Sequence, residues 1–238
     1  MSKLLQRLSL SSKKSSSSSI STAPAAAPAA PVKMAKVALL VYSLYGHQVA
    51  MSKAVEAGLK EAGVESKTFQ VRDILSEEVL GKMHANKSLT ADLPVIDPDT
   101  LAEFDGFIVC AGTRYGRQPA SVSAFFDQTG GLWARGALKN KMAGFVTSTG
   151  SQHGGAETTA LTTIPFLAHH GIIFVPLGFT QPELSTLDEI VGASAYGAAT
   201  ITGGDGSRQP TEKDLKVAKV QGKEFGETVA QFIRGKSA

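Results

Sequence analysis

Short apolar runs alternate with helical stretches along most of this chain. KVALLVY (36–42) and GFIVCAG (106–112) are continuous and almost wholly apolar, as strands buried on both faces of a parallel sheet must be. MAGFVTS (142–148) and GIIFVPLG (171–178) read the same way, and SKTFQVR (66–72) alternates like a strand. A helix is predicted from about Gln48 to Ala62, with Val49, Val55 and Leu59 apolar and Gly63 as its stop. Further helices are predicted over 121–128 and 157–170. After a polar, glycine-rich excursion a final helix starts near Thr211. Pro210, Thr211 and Asp214 mark that start as a variant of the capping box. Five buried strands alternating with helices predict a doubly wound α/β fold, a five-stranded parallel sheet with helices on both faces. Ligands of such sheets sit at the carboxyl ends of the strands. The segments after residues 42, 112 and 148 are therefore where chemistry is expected.

Composition changes this picture mainly at the N-terminal end. Residues 11–32, SSKKSSSSSISTAPAAAPAAPV, bury too little apolar surface to offset their ordering entropy, so residues 1–33 are expected to form a disordered tail ahead of a domain at 34–238. Residues 1–36 hold six basic groups and no acidic one, leaving 18 basic against 21 acidic in the remainder, a net of −3. The domain is thus mildly acidic and lacks the basic face that nucleic-acid binding needs. A Ser-rich, basic, acid-free segment also resembles a mitochondrial transit peptide. A cytoplasmic location is expected, with mitochondrial or peripheral membrane association through residues 1–33 as the alternative. No apolar run approaches the ~18 residues of an integral membrane helix. The one cysteine, Cys110, excludes an internal disulfide and reads as a small buried strand residue.

The three strand-end loops carry the candidate chemistry. Ser43, Leu44, Tyr45, Gly46, His47 and Gln48 run into a helix whose unpaired N–H groups attract an anion such as phosphate. The same six residues also read as an ordinary turn with a serine cap. No GxGxxG or GxxxxGK[ST] is present. Thr113, Arg114 and Tyr115 offer a hydroxyl, backbone amides and an aromatic face. Ser148, Thr149, Gly150, Ser151, Gln152 and His153, followed by two glycines, suit a loop that wraps a ligand edge. Trp133, the only tryptophan, stands just past the double glycine of DQTGG, where it lines a pocket or belongs to the core. His169 and His170 are adjacent and lack the companions of a metal site, so no metal is expected.

Taken together, MAKVALLVYSLYGH, GTRYGRQ, FFDQTGGLWARGALKNKMAGFVTSTGS, LAHHGIIFVPLG and YGAATITGGDGSRQPTEKDL closely resemble the WrbA family of flavodoxin-like NAD(P)H:quinone oxidoreductases. The resemblance spans residues 34–236. It implies FMN at the strand ends, NADH or NADPH as electron donor, a quinone as substrate, a homotetramer, and a ping-pong two-electron reduction. Carried over segment by segment, Ser43–Gln48 hold the FMN phosphate, Thr113–Tyr115 and Ser148–His153 hold the ring, and His169 lies at its far edge. Tyr45 meets the nicotinamide and Trp133 the quinone, while the flavin itself carries the chemistry. STGSQHGGAE departs from the family pattern in length and glycine content, which bears on Gln152 and His153. A flavin-binding scaffold or stress-associated regulator with incidental catalysis is the rival expectation, and a small electron carrier of the flavodoxin type is a third.

Overall fold

Successive residues of the central strands are apolar in both directions, and the architecture follows from that. The computed structural model describes residues 34–236; the expected disordered tail, its targeting role and the 1–33 boundary lie outside the described residues. Strand β1 (Lys36–Tyr42) sends Val37, Leu39 and Val41 into one buried cluster and Ala38, Leu40 and Tyr42 into another on the opposite face. Strand β3 (Gly106–Gly112) divides likewise, with Ile108 and Cys110 facing one way and Phe107, Val109 and Ala111 the other. With β2 (Glu65–Gln70), β4 (Met142–Thr149) and β5 (Ile173–Phe174) they pair in parallel in the order β2-β1-β3-β4-β5. That is the flavodoxin-like winding, which reverses direction between β1 and β3.

Helices cover both faces. Helix α1 (His47–Glu61) and the last helix, α7 (Glu212–Lys236), lie on one, where Met51, Val55 and Leu59 meet Val217, Phe225 and Val229. The two approach so closely that a Cβ on Gly58 would stand 1.9 Å from the Lys219 carbonyl oxygen, and one on Gly222 2.1 Å from that of Val55. On the other face lie α2 (Glu77–Lys82), α3 (Pro98–Leu101), α4 (Ala120–Asp127), α5 (Gly130–Ala134) and α6 (Ala156–His170). The expected cap of α7 is present in both directions: Thr211 N–H donates to Asp214 Oδ2 at 3.2 Å, and Asp214 N–H donates to Thr211 Oγ1 at 3.3 Å.

The fifth strand departs from expectation. GIIFVPLG pairs only through Ile173 and Phe174, opposite Met142 and Ala143. Pro176, which has no N–H to give a ladder, and Gly178 at φ 74° take the chain out of the sheet. The excursion that follows is not featureless, because it returns to the sheet as β6 (Ala199–Ile201) against Thr147–Thr149. The edge position is thus filled twice, with a gap opposite the middle of β4. The side-chain amide of Gln221 occupies that gap, donating to the Phe145 carbonyl at 3.0 Å and accepting from Ala198 N–H at 2.8 Å. A buried glutamine from α7 there stands in for a missing peptide group.

Candidate active site

The three loops singled out in the sequence converge on one cleft. Its lining draws Ser43, Tyr45, His47 and Gln48 from the first, Gly112 and Arg114 from the second, and Ser148 from the third, around a cleft that opens to solvent. Tyr42 and Pro119 complete the wall.

The first loop begins α1 without a side-chain cap. Gly46 at the cap has φ 93°, and its own N–H is taken by Ser43 Oγ at 3.1 Å. The first-turn N–H groups of a 15-residue helix are therefore left facing the cleft side, together with the positive end of its dipole. His47 Nε2 and both polar atoms of the Gln48 amide are buried with no protein partner. Unpartnered buried polar atoms are costly, about 1–3 kcal/mol each. Three at one helix start call for a ligand that supplies acceptors and donors. Tyr45 is half exposed at the rim, tethered by its hydroxyl to the Met83 carbonyl at 3.1 Å.

The second loop is a tight hairpin. Arg114 and Arg117 exchange both backbone hydrogen bonds, at 2.8 and 3.1 Å, which forces Tyr115 to φ 53° and leaves its side chain 99% exposed. Thr113 ties this hairpin to its neighbours. Its N–H donates to the Ser148 carbonyl at 2.8 Å, and its hydroxyl accepts from Gly116 N–H and from Thr159 Oγ1 of α6. In the third loop Thr149 Oγ1 donates to the Ser151 carbonyl at 2.7 Å, and His153 is also left-handed, at φ 59°. Gln152 and His153 face a separate cavity shared with Val191–Ser194 rather than the cleft itself.

Trp133 and His169 lie elsewhere. Trp133 is 59% exposed, and its indole N–H donates to the His169 carbonyl at 3.0 Å, so the two are neighbours. Both stand at the C-terminal end of α6, whose first turn adjoins the third loop. At 1.5 Å per residue that places them about 20 Å from it. One copy of the chain does not bring them to its own cleft. His170, adjacent in sequence, points inward to Thr129 Oγ1 at 3.0 Å and packs on Phe166; burial, with His169 beside it, holds its pKa below the usual 6.5.

Sequence reasoning missed Tyr42, Gln118 and Pro119. The Tyr42 hydroxyl donates to Asp73 Oδ1 at 3.3 Å, and burial pushes its pKa up from 10.0 despite the Ser121 hydroxyl, so it stays protonated beside the cleft. The Gln118 amide is buried with neither polar atom partnered. Its only signal was its place after GTRYGR. Cys110 is fully buried in β3, and burial raises its thiol, which fits the packing role read from the sequence.

A doubly wound sheet with an uncapped helix start beside two backbone-lined loops defines a flavodoxin-like, nucleotide-cofactor fold. The chain belongs to the NADPH-dependent FMN reductase family, whose sequence model matches residues 35–181, and the WrbA resemblance is borne out by its relatives. It is 46% identical over 198 residues to NAD(P)H quinone oxidoreductase PST3 of Candida albicans, covering 82% of this chain and 98% of the other. It is 50% identical over 189 residues to quinone-oxidoreductase QR2 of Triphysaria versicolor, covering 79% and 91%. Against NAD(P)H dehydrogenase (quinone) of Caulobacter vibrioides the figure is 47% over 198 residues, covering 83% and 98%. Among solved structures, a WrbA-like flavodoxin from Agrobacterium tumefaciens superposes with a TM-score of 0.58 over 83% of this chain and 98% of its own, at 18% identity.

Proposed function

We propose that this protein is an NAD(P)H:quinone oxidoreductase that holds FMN in the cleft and reduces quinones by two electrons in a ping-pong cycle. The observation that carries this reading is the cluster of unpartnered buried atoms on His47 and Gln48 at the open start of α1. A phosphate fits in charge and supplies acceptors for the helix N–H groups, the Gln48 NH2 and the His47 ring, while the donor that Gln48 Oε1 needs is left to the hydroxyls of the flavin's ribityl chain. Bound there, FMN supplies the hydride acceptor and donor that no side chain in the cleft provides.

The chain's own residues bind and orient. Ser43–Gln48 hold the phosphate, and Thr113–Tyr115 with Ser148–Ser151 hold the ring edge through backbone groups, with Gln152 and His153 closing the loop behind. Tyr45, fixed by its bond to the Met83 carbonyl, presents a face to the nicotinamide of NADH or NADPH. Trp133 and His169 serve the cleft of a neighbouring copy, since their own lies about 20 Å away. An exposed tryptophan held by a hydrogen bond at the end of a helix supports that assignment, and the homotetramer implied by the family resemblance would supply the neighbouring copy. Among the described residues no helix is long and apolar enough to cross a membrane; the cytoplasmic location expected from the sequence stays part of the proposal. The scaffold alternative draws its support from the Ser-rich segment 1–33 alone.

Initial rates at several fixed quinone concentrations test the cycle. If donor and quinone take one stacking face in turn, double-reciprocal plots are parallel. Trp133→Ala then lowers quinone kcat/KM by several-fold to about tenfold, an aromatic contact being worth ~0.5–1.5 kcal/mol and ~1.4 kcal/mol a factor of ten. FMN affinity and folding change little, because the side chain is exposed. Intersecting lines would sink the ping-pong reading, and absence of turnover with any nicotinamide would favour the scaffold.

A further inference from the structure

The motif GGDGSRQP (203–210) lies within one of the segments that carry the family resemblance, yet the binding roles above leave it unused. Its contacts join both ends of the cleft. At its start, Thr202 N–H and Oγ1 both donate to the Thr149 carbonyl of the third loop, at 2.8 and 3.2 Å. In its middle, Gly206 lies against the phosphate loop, where a Cβ would meet His47 Cε1 at 3.9 Å. That is the imidazole whose Nε2 is buried without a partner. At its end, Arg208 N–H donates back to the Thr202 carbonyl at 2.9 Å, closing residues 202–208 into one loop.

The Arg208 guanidinium latches this loop. Nη1 donates to the Ile201 carbonyl at 2.7 Å and to Asp214 Oδ2 at 3.2 Å, and Nη2 donates to the Ile190 carbonyl at 2.8 Å. Asp214 is 0% exposed, and the same oxygen also accepts from Thr200 Oγ1 at 2.7 Å and from Thr211 N–H. One carboxylate thereby holds β6, the loop and the start of α7 in a single arrangement, while its other oxygen, Oδ1, stays buried and unpartnered. A buried ion pair is a weak source of net stability but a strong constraint on geometry.

We propose that the Arg208–Asp214 pair is a positioning device for the phosphate end of the flavin nucleotide. By fixing the 202–208 loop over His47, it keeps the imidazole turned toward the anion. This rests on the assignment of the phosphate to Ser43–Gln48, and it makes Arg208 and Asp214 positioning residues that touch no cofactor themselves.

The test compares FMN with riboflavin, which has the ring and ribityl chain but no phosphate. Full-length protein stripped of flavin is titrated with each, following flavin fluorescence, for the parent, Arg208→Lys, Asp214→Asn and the double variant. Both substitutions keep side-chain size, and thermal melts record their folding. FMN affinity is expected to fall about tenfold in each single variant while riboflavin affinity stays within about twofold. The double variant should be no weaker than the singles, since the pair acts as a unit. FMN should protect the amides of 202–208 from hydrogen exchange in the parent and fail to do so in the variants. Equal losses for FMN and riboflavin would reduce the latch to a structural role and overturn the proposal, as would unchanged FMN affinity. A parent that binds riboflavin as tightly as FMN would instead overturn the phosphate assignment itself.

Discussion

Gly46 shows how narrowly a single residue is constrained at the cleft. Its φ of 93° suits glycine, and a Cβ there would also lie 2.8 Å from Leu89 Cδ1. Any side chain strains the turn from which α1 projects its N–H groups. His170 carries a different constraint, because it is kept neutral by burial between Thr129 and Phe166. Its folded pKa lies below the unfolded 6.5, so the unfolded chain binds the proton more readily. The stability it allows is present above 6.5 and is lost as pH falls through the folded value. His170→Gln should therefore flatten the decline in urea midpoint between about pH 7.5 and about pH 5.5, and an unchanged slope would show that other groups carry it. Some of this was legible. Ser43, Gly46 and the Thr211–Asp214 cap announced themselves by residue type and spacing. The burial of His47 and the exposure of Trp133 did not, since both depend on which face of a short helical turn meets the sheet.

Between elements, the seam of α1 and α7 is the tightest contact in the fold. Gly222→Ala would drive a methyl group into the Val55 carbonyl, which cannot yield without moving the helix. Overpacking of this kind costs about 1–3 kcal/mol or more, so a drop of at least ~2 °C in Tm is expected, with FMN binding weakened because α1 begins at the phosphate loop. A variant that melts with the parent would mean the helices can slide apart cheaply. The seam was invisible in the sequence, since a glycine inside a helical pattern, as at 58 and 222, does not say what packs against it. The broken fifth strand was misread for a related reason. In GIIFVPLG the apolar residues Val175, whose N–H makes the last bond to β4 at the Ala143 carbonyl, and Leu177 beyond it both pack against the core on the α1–α7 face, and an apolar run cannot distinguish packing from pairing. Gln221 bridging the gap could be seen only once the gap was.

At the scale of the molecule, the length of α6 separates two halves of the proposed chemistry. If Trp133 completes a neighbour's cleft, two defective chains should repair each other. Gly46→Val lacks a working phosphate loop but keeps its tryptophan, and Trp133→Ala has the reverse. Dissociated, mixed and reassembled, the pair should recover quinone reduction at sites that combine the intact loop of one with the tryptophan of the other. Mixed assemblies that form yet show no more activity than the average of their two parents would return Trp133 to a role within its own chain. The sequence carried the winding of the sheet and the three loops, because those are local in the chain. Which loop meets which helix end, and across how many copies, is set by distances that no spacing of residues records.

The double filling of the fifth position has a consequence for solubility. The outer strand of an open sheet offers a row of free N–H and C=O groups onto which a foreign strand can add. Here that row is cut into pieces of two and three residues, with a side-chain amide between them and the 175–198 segment folded outside. The opposite edge is blunted as well. Gln70 of β2 is engaged on both sides by Pro94 and Ile96, and the strand carries Glu65 and Lys67 toward solvent. At high concentration, copies of this chain are therefore left to meet through side chains rather than through backbone. Fibrillar growth would have to wait until the 175–198 segment came loose from β4.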